Sequence, residues 1–189
     1  MAAIMLQPST AVKFTYEDFL HLPDDGKRYE IIDGELYMSP PPTLYHQSTA
    51  GNLFYSLSDF VRAGKLGKVF FAPCAVVLSD ANVVEPDILF VSKDRLNILT
   101  ETGVQGAPDL VVEILSPSTE KRDRNIKLKM YAKFGVRECW LVDPVSKTVE
   151  IYRLDKKNFK LAAKLTVSDV LTTPLLSGFT ISVQDIFQK

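Results

Sequence analysis

One acid interrupts an apolar stretch, Leu110-Val111-Val112-Glu113-Ile114-Leu115. A carboxylate buried in a strand without a partner costs several kcal/mol, so something must hold Glu113. The segment after Pro117 offers a partner. Read as a helix with Ile126 at the origin and about 100° per residue, Met130, Tyr131 and Phe134 fall in an arc of roughly 140° facing the sheet. Asp123 and Lys127 lie inside that arc, whereas Lys121, Arg122, Lys129 and Lys133 project elsewhere. Lys127 is therefore the lysine expected beside Glu113, with Asp123 and Tyr131 four residues to either side to orient its ammonium. Taken alone, the pair could simply be a buried ion pair that fixes the helix.

A second carboxylate widens the reading. Asp87 follows Pro86, and proline is tolerated at a strand start. Asp109 also follows a proline but sits on the same strand as Glu113, about 13 Å away at roughly 3.3 Å per residue. That is too far to share an ion, so Asp109 reads as a polar strand-end residue. Asp87, from another strand, can lie beside Glu113. Two carboxylates and a lysine around one point suit Mg²⁺ or Mn²⁺, with Asp87 and Glu113 as the metal ligands. Such an ion lowers the pKa of bound water and stabilises charge on a phosphoryl oxygen. The lysine could position that water or assist its deprotonation. This is the chemistry of phosphodiester hydrolysis. The chain has no Gly-rich phosphate loop, zinc-ligand spacing or Ser-His-Asp pattern.

These side chains need a scaffold, and the pattern supplies one. Thr15–Leu22 reads as a short helix, and Arg28–Pro40 as two strands about Asp33-Gly34, a hairpin-turn dipeptide. Ala50, Leu53, Phe54, Leu57, Phe60 and Val61 recur at helical spacing, with His46 near the start of the same face. His46 could touch the site or a phosphate, or be a satisfied core histidine. Strands are expected at about Val69–Leu78, Asp87–Val91 and Leu110–Leu115. Trp140 lies in a core strand, Thr148–Asp155 and Asn158–Leu165 in a closing hairpin, and Thr180–Phe187 in a tail packed on the core. The 189 residues, 46% of them hydrophobic, suffice for one α/β domain over 1–189, with residues 1–14 a flexible N-terminal segment. A net charge of −1 gives no global field to attract nucleic acid. No apolar run reaches the roughly 18–20 residues needed to span a membrane. The start of the chain does not read as a signal peptide. Cys74 and Cys139, far apart in apolar stretches, read as reduced thiols of a cytoplasmic protein.

Pro86-Asp87 followed by Glu113-Ile114-Leu115 resembles the PD-(D/E)XK nuclease superfamily, with one departure. Leu115 stands where that pattern has its lysine, and several branches carry the lysine on the following helix, where Lys127 stands. The ordered set YEIIDGELYMSP, EPDILFV, PDLVVEILSPST, DRNIKLKMYAKFGVRECWLVDP and PLLSGFTISVQDIF is similar to the Uma-two group of restriction endonucleases, from about Thr15 to Phe187. The resemblance implies a restriction-endonuclease-like fold, with a central mixed β-sheet flanked by helices. It also implies a Mg²⁺-type site, a DNA endonuclease activity and a homodimer. An N-terminal acid often completes the site, and Glu30 matches it; Glu30 could otherwise be an exposed hairpin residue. Two rivals share the fold: a nucleic-acid-binding or regulatory protein with weak or lost activity, and a dimerisation domain with a buried polar network.

Overall fold

The computed structural model describes residues 12–188. Helix α1 (Tyr16–Leu20) is opened by a capping box in which Thr15 and Asp18 bond each other's backbone N–H. Strands β1 (Arg28–Ile32) and β2 (Glu35–Ser39) pair across Asp33 and Gly34, whose φ angles of 51° and 83° are those of a mirror-type hairpin turn. The long helix α2 (Leu44–Ala63) is capped by Thr43. Next come β3 (Gly67–Phe71), β4 (Val76–Ser79), β5 (Asn82–Val84), β6 (Ile88–Ser92), β7 (Val104–Gln105) and β8 (Leu110–Ile114). A broken helix follows: α3 (Glu120–Arg122), a π-helical turn (Asp123–Lys127) and α4 (Leu128–Phe134), which stops at Gly135 in the left-handed conformation. The chain closes with β9 (Glu138–Asp143), β10 (Thr148–Asp155), β11 (Asn158–Leu165), β12 (Val170–Thr172), β13 (Thr180–Ser182) and α5 (Val183–Ile186).

The expected central mixed sheet is present. It has six strands in the order β11-β10-β9-β8-β6-β3, parallel between β8 and β9 and antiparallel elsewhere. Its two faces follow from the alternation of strand side chains. Leu110, Val112 and Ile114 join Leu53, Leu57 and Val61 of α2, together with Trp140 and the tail residues Val183, Ile186 and Phe187. Val111 and Leu115 join Leu128, Met130 and Tyr131 on the opposite face. Glu113 belongs by period to that second face, beneath the broken helix. Fully burying an apolar side chain such as Leu110, Val112 or Ile114 contributes roughly 1.5–3 kcal/mol. A one-residue slip of β8 would therefore forfeit several such terms at once and also move Glu113 to the wrong face.

A second, five-stranded sheet, β2-β1-β5-β4-β7, was not anticipated from the pattern. It arises where a single strand over Val69–Leu78 was expected. Pro73 has no N–H to continue a ladder. The chain leaves the six-stranded sheet after Phe71 and enters the other at Val76. This sheet holds β1 against the edge of the site. Of the N-terminal segment, residues 1–11 lie outside the described residues. Phe14 is bonded to the Gly34 carbonyl at 2.9 Å and packs with Ile31, Val77 and Val83. Among the described residues no helix is long and apolar enough to cross a membrane.

Gly67 joins α2 to the six-stranded sheet at a φ of 153°, and a Cβ there would lie 2.1 Å from the Val91 carbonyl oxygen. Gly67→Ala should therefore lower unfolding free energy by about 2 kcal/mol, read as a lower urea midpoint with an unchanged slope. An unaltered midpoint would show that the β3–β6 edge yields freely.

Candidate active site

Strand register brings the two principal carboxylates together. Antiparallel pairing sets Ile88 against Val112 and Leu89 against Val111. Continued by one residue, it sets Asp87 opposite Glu113, where cross-strand side chains stand about 5 Å apart. The Ile114 N–H donates to Asp87 Oδ2 at 2.8 Å, fixing that edge. Both carboxylates are buried, at 6% and 3% exposure, on the wall of a cavity of about 300 Å³.

Lys127 fills the centre. Its Nζ lies 2.7 Å from Glu113 Oε1, 2.8 Å from Glu30 Oε1 and 3.7 Å from Asp123 Oδ1. Burial disfavours the ammonium, yet Glu113, Glu30 and Asp123 together hold its pKa well above the usual lysine value. Glu30 is a buried site residue and not an exposed hairpin residue. It also accepts the Glu85 N–H at 3.1 Å and pairs with Arg122 at 3.2 Å. Burial opposes its ionisation, but Lys127 and Arg122 more than compensate, and its pKa is lowered.

Among the supporting residues, Asp123 stands beside Lys127 as expected and His46 reaches the cluster, whereas Tyr131 has another partner. Tyr131 donates to Glu113 Oε1 at 2.6 Å, so it orients the carboxylate and not the ammonium. The bonds from Lys127 and Tyr131 both fall on Oε1, and Oε2 accepts none among the described residues. Asp123 Oδ1 is buried without a hydrogen-bond partner. His46 Nε2 stands 3.0 Å from the Ile114 carbonyl oxygen and 3.3 Å from Asp87 Oδ2. Both neighbours accept, so Nε2 carries the proton. Asp109 is fully buried elsewhere, taking the Ser92 N–H at 2.8 Å and pairing with Arg95 and Arg137.

Three members went unread in the sequence. Arg28 Nη1 pairs with Asp87 Oδ1 at 2.7 Å, and Nη2 bonds the Glu85 carbonyl. Glu85 itself faces Arg28 at 3.7 Å. Arg122, expected to point away, bonds Ser39 Oγ at 2.7 Å and lies over the Tyr37 ring. Strand alternation could have found the first two, since Arg28 and Glu30, like Glu85 and Asp87, are two residues apart. No such signal existed for Arg122. The π-helical turn breaks the 100° step, exposing Ile126 (37%) and turning Arg122 inward.

The cluster is short of positive charge. Five carboxylates (Glu30, Glu85, Asp87, Glu113, Asp123) meet three permanent cations (Arg28, Arg122, Lys127), two negative charges over if all ionise. Glu113 takes up much of that excess. Burial, only partly relieved by Lys127 and aggravated by Asp123, Asp87 and Glu30, pushes its carboxyl up to about 8. For Asp87, burial is outweighed by the bonds to His46 and Arg28, which hold it down at about 2. Neighbouring carboxylates with opposite shifts are a recurrent property of catalytic sites.

A family model described as Uma2, putative restriction endonuclease, matches residues 16–184. No curated protein matches the chain. Among solved structures, a putative nuclease belonging to DUF820 from Anabaena variabilis ATCC 29413 aligns with a TM-score of 0.77 at 23% identity. The match covers 92% of this chain and 97% of that one. At this identity the likeness shows a shared fold.

The shifts give a signed pH dependence. Glu113 is raised from 4.5 to about 8 in the folded state, so its contribution to stability is complete below 4.5 and lost as pH climbs through 8. Asp87 has the opposite sign, but its window lies between 3.8 and about 2, outside this range. Metal-free protein should lose stability between about pH 5 and pH 8, and Glu113→Gln should remove most of that slope. Glu85 and Asp123, both raised chiefly by burial, leave a smaller slope of the same sign. Denaturant titrations at several pH values test this, and an unchanged slope in the variant would mean Glu113 stays ionised throughout.

Proposed function

Since the chain belongs to the Uma2 family, we propose that it is a divalent-metal-dependent endonuclease of the PD-(D/E)XK type, hydrolysing DNA phosphodiester bonds. The observation that carries this reading is the register-fixed pairing of Asp87 with Glu113 around the Lys127 ammonium, on the wall of one cavity.

The donor set fits Mg²⁺ or Mn²⁺. Among the described residues no three His, Cys, Asp or Glu side chains cluster as a ready-made metal cage. Mg²⁺ is commonly held by one or two carboxylates with water and phosphate completing the shell, and Asp87 and Glu113 would provide those two. The unbonded Oε2 of Glu113 and the excess of two negative charges both suit a divalent ion. Bound there, the ion would supply an acidified water and neutralise charge on a phosphoryl oxygen.

The chain's own groups then divide the remaining work. Glu113 must release its proton to serve as a ligand, so metal affinity should rise with pH. Tyr131 keeps its Oε1 in place, and His46 and Arg28 keep Asp87 ionised. Lys127 is held protonated, so it acts by donating hydrogen bonds to the attacking water or to a phosphate oxygen and not by removing a proton. Glu30 and Asp123 position that ammonium. The free cysteines Cys74 and Cys139 support a reducing, cytoplasmic setting.

Two experiments test this reading. Purified protein should nick plasmid or single-stranded DNA with Mg²⁺ or Mn²⁺ and not with chelator. Lys127→Ala should reduce cleavage by about 100-fold or more, while Lys129→Ala, on the exposed side of the helix, should not. Mn²⁺ titration calorimetry should detect binding that Glu113→Ala abolishes; equal binding by both proteins would remove the metal assignment.

A net charge of −1 gives one protomer little hold on a polyanion. Two protomers related by a two-fold axis would present a site to each strand. Sedimentation at micromolar concentration should therefore give the mass of a homodimer, and a monomer would rule out paired cleavage of a duplex.

A further inference from the structure

Beside the catalytic cavity lies a larger cleft of about 800 Å³, within the range of small-molecule sites. The two share a wall made of Arg28, Pro42, His46 and Asp87. We infer that this cleft receives one unpaired base of a DNA strand whose adjacent phosphate lies at Asp87, Glu113 and Lys127. The inference rests on the nuclease reading and names its substrate as single-stranded or locally opened DNA.

Three observations support it. First, the walls suit the face of a base: Phe19, Tyr29, Phe54 and Phe71 line the cleft. Phe71 is 57% exposed, and its ring meets Phe54 edge to face at 4.6 Å. Aromatic side chains bind bases of any sequence by stacking, but stacked bases within a duplex hide their faces.

Second, Gly51 lies inside the 20-residue helix α2 and on the cleft wall. Glycine is among the least favourable residues in a helix interior. Packing among the described residues does not require it, because a Cβ at Gly51 would meet nothing of theirs within 4 Å. Its absence leaves the helix backbone open to a flat ligand. Third, the cleft offers little free positive charge: Lys27 is held by Asp25 at 2.6 Å and Arg28 by Asp87 at 2.7 Å. A neutral base, held mainly by stacking, fits such walls better than a second phosphate.

The test uses fluorescence anisotropy with a labelled single-stranded oligonucleotide, the same sequence as a duplex, and a set with one abasic position moved along the strand, all with non-catalytic Ca²⁺. Single strand should bind about tenfold tighter than duplex, and an abasic gap at one position should remove about that factor. Gly51→Leu fills the cleft while improving helix propensity, so it should weaken single-strand binding about tenfold without lowering the thermal midpoint. Phe71→Ala should weaken it similarly. If duplex is bound and cut while Gly51→Leu and the abasic series change nothing, the nuclease reading stands and this inference falls. If Gly51→Leu instead dissociates a dimer in sedimentation, the cleft is a subunit contact, which also overturns it. If neither form of DNA binds, both readings fall together.

Discussion

The arrangement depends on one buried ammonium. Lys127 is within 2.8 Å of two carboxylates, and all three groups are nearly sealed from solvent. Removing both charges together could cost little, because a buried ion pair often stabilises no more than an apolar substitute. Removing only one would leave an uncompensated charge at several kcal/mol. The cluster thus resists piecemeal change, and even intact it lacks enough positive charge for its five carboxylates. That shortage accounts for the raised Glu113, and under the proposed function a doubly charged ion would make it good.

Four parts of the fold can be traced to holding this cluster. The β6–β8 register sets Asp87 across from Glu113, and burial of both sheet faces locks the register. The β1–β2 hairpin brings Arg28 and Glu30 from the neighbouring sheet. Helix α2 contributes His46 from the opposite face, at the point where β8 ends and its last carbonyl becomes available. The π-helical turn lets Asp123 and Lys127 point inward together with Arg122. A regular helix would present a narrower stripe.

Burial divides the roles among similar side chains. Asp109 is as closed to solvent as Glu113, but the burial that would raise its pKa is outweighed by the Ser92 N–H and by Arg95, and the pKa is lowered. Glu138 is likewise buried, bonded to the Trp140 indole N–H at 2.6 Å and paired with Arg153. Among the described residues, neither acid carries a buried oxygen without a hydrogen-bond partner. Glu113 differs because its second oxygen, the orphaned Asp123 Oδ1 and the cavity coincide. That coincidence sets Glu113 apart from the buried acids whose bonds are satisfied within the fold.

The sequence by itself determined which two acids and which lysine the fold brings together, and most of the local elements. An acid in an apolar run, an acid after a strand-opening proline and a lysine on the sheet-facing arc all led to Asp87, Glu113 and Lys127. The Asp33-Gly34 turn and the helix over the sheet were equally plain, because period and turn chemistry are properties of neighbouring residues. Only the tertiary structure decided that the chain divides into two sheets at Pro73 and that Tyr131 serves Glu113. It also decided that Arg28, Glu85 and Arg122 complete the site. The reason is physical: which cation meets which carboxylate depends on strand register and on one π-helical turn. Both are settled by packing between segments as far apart as residues 30 and 127, which no local pattern encodes.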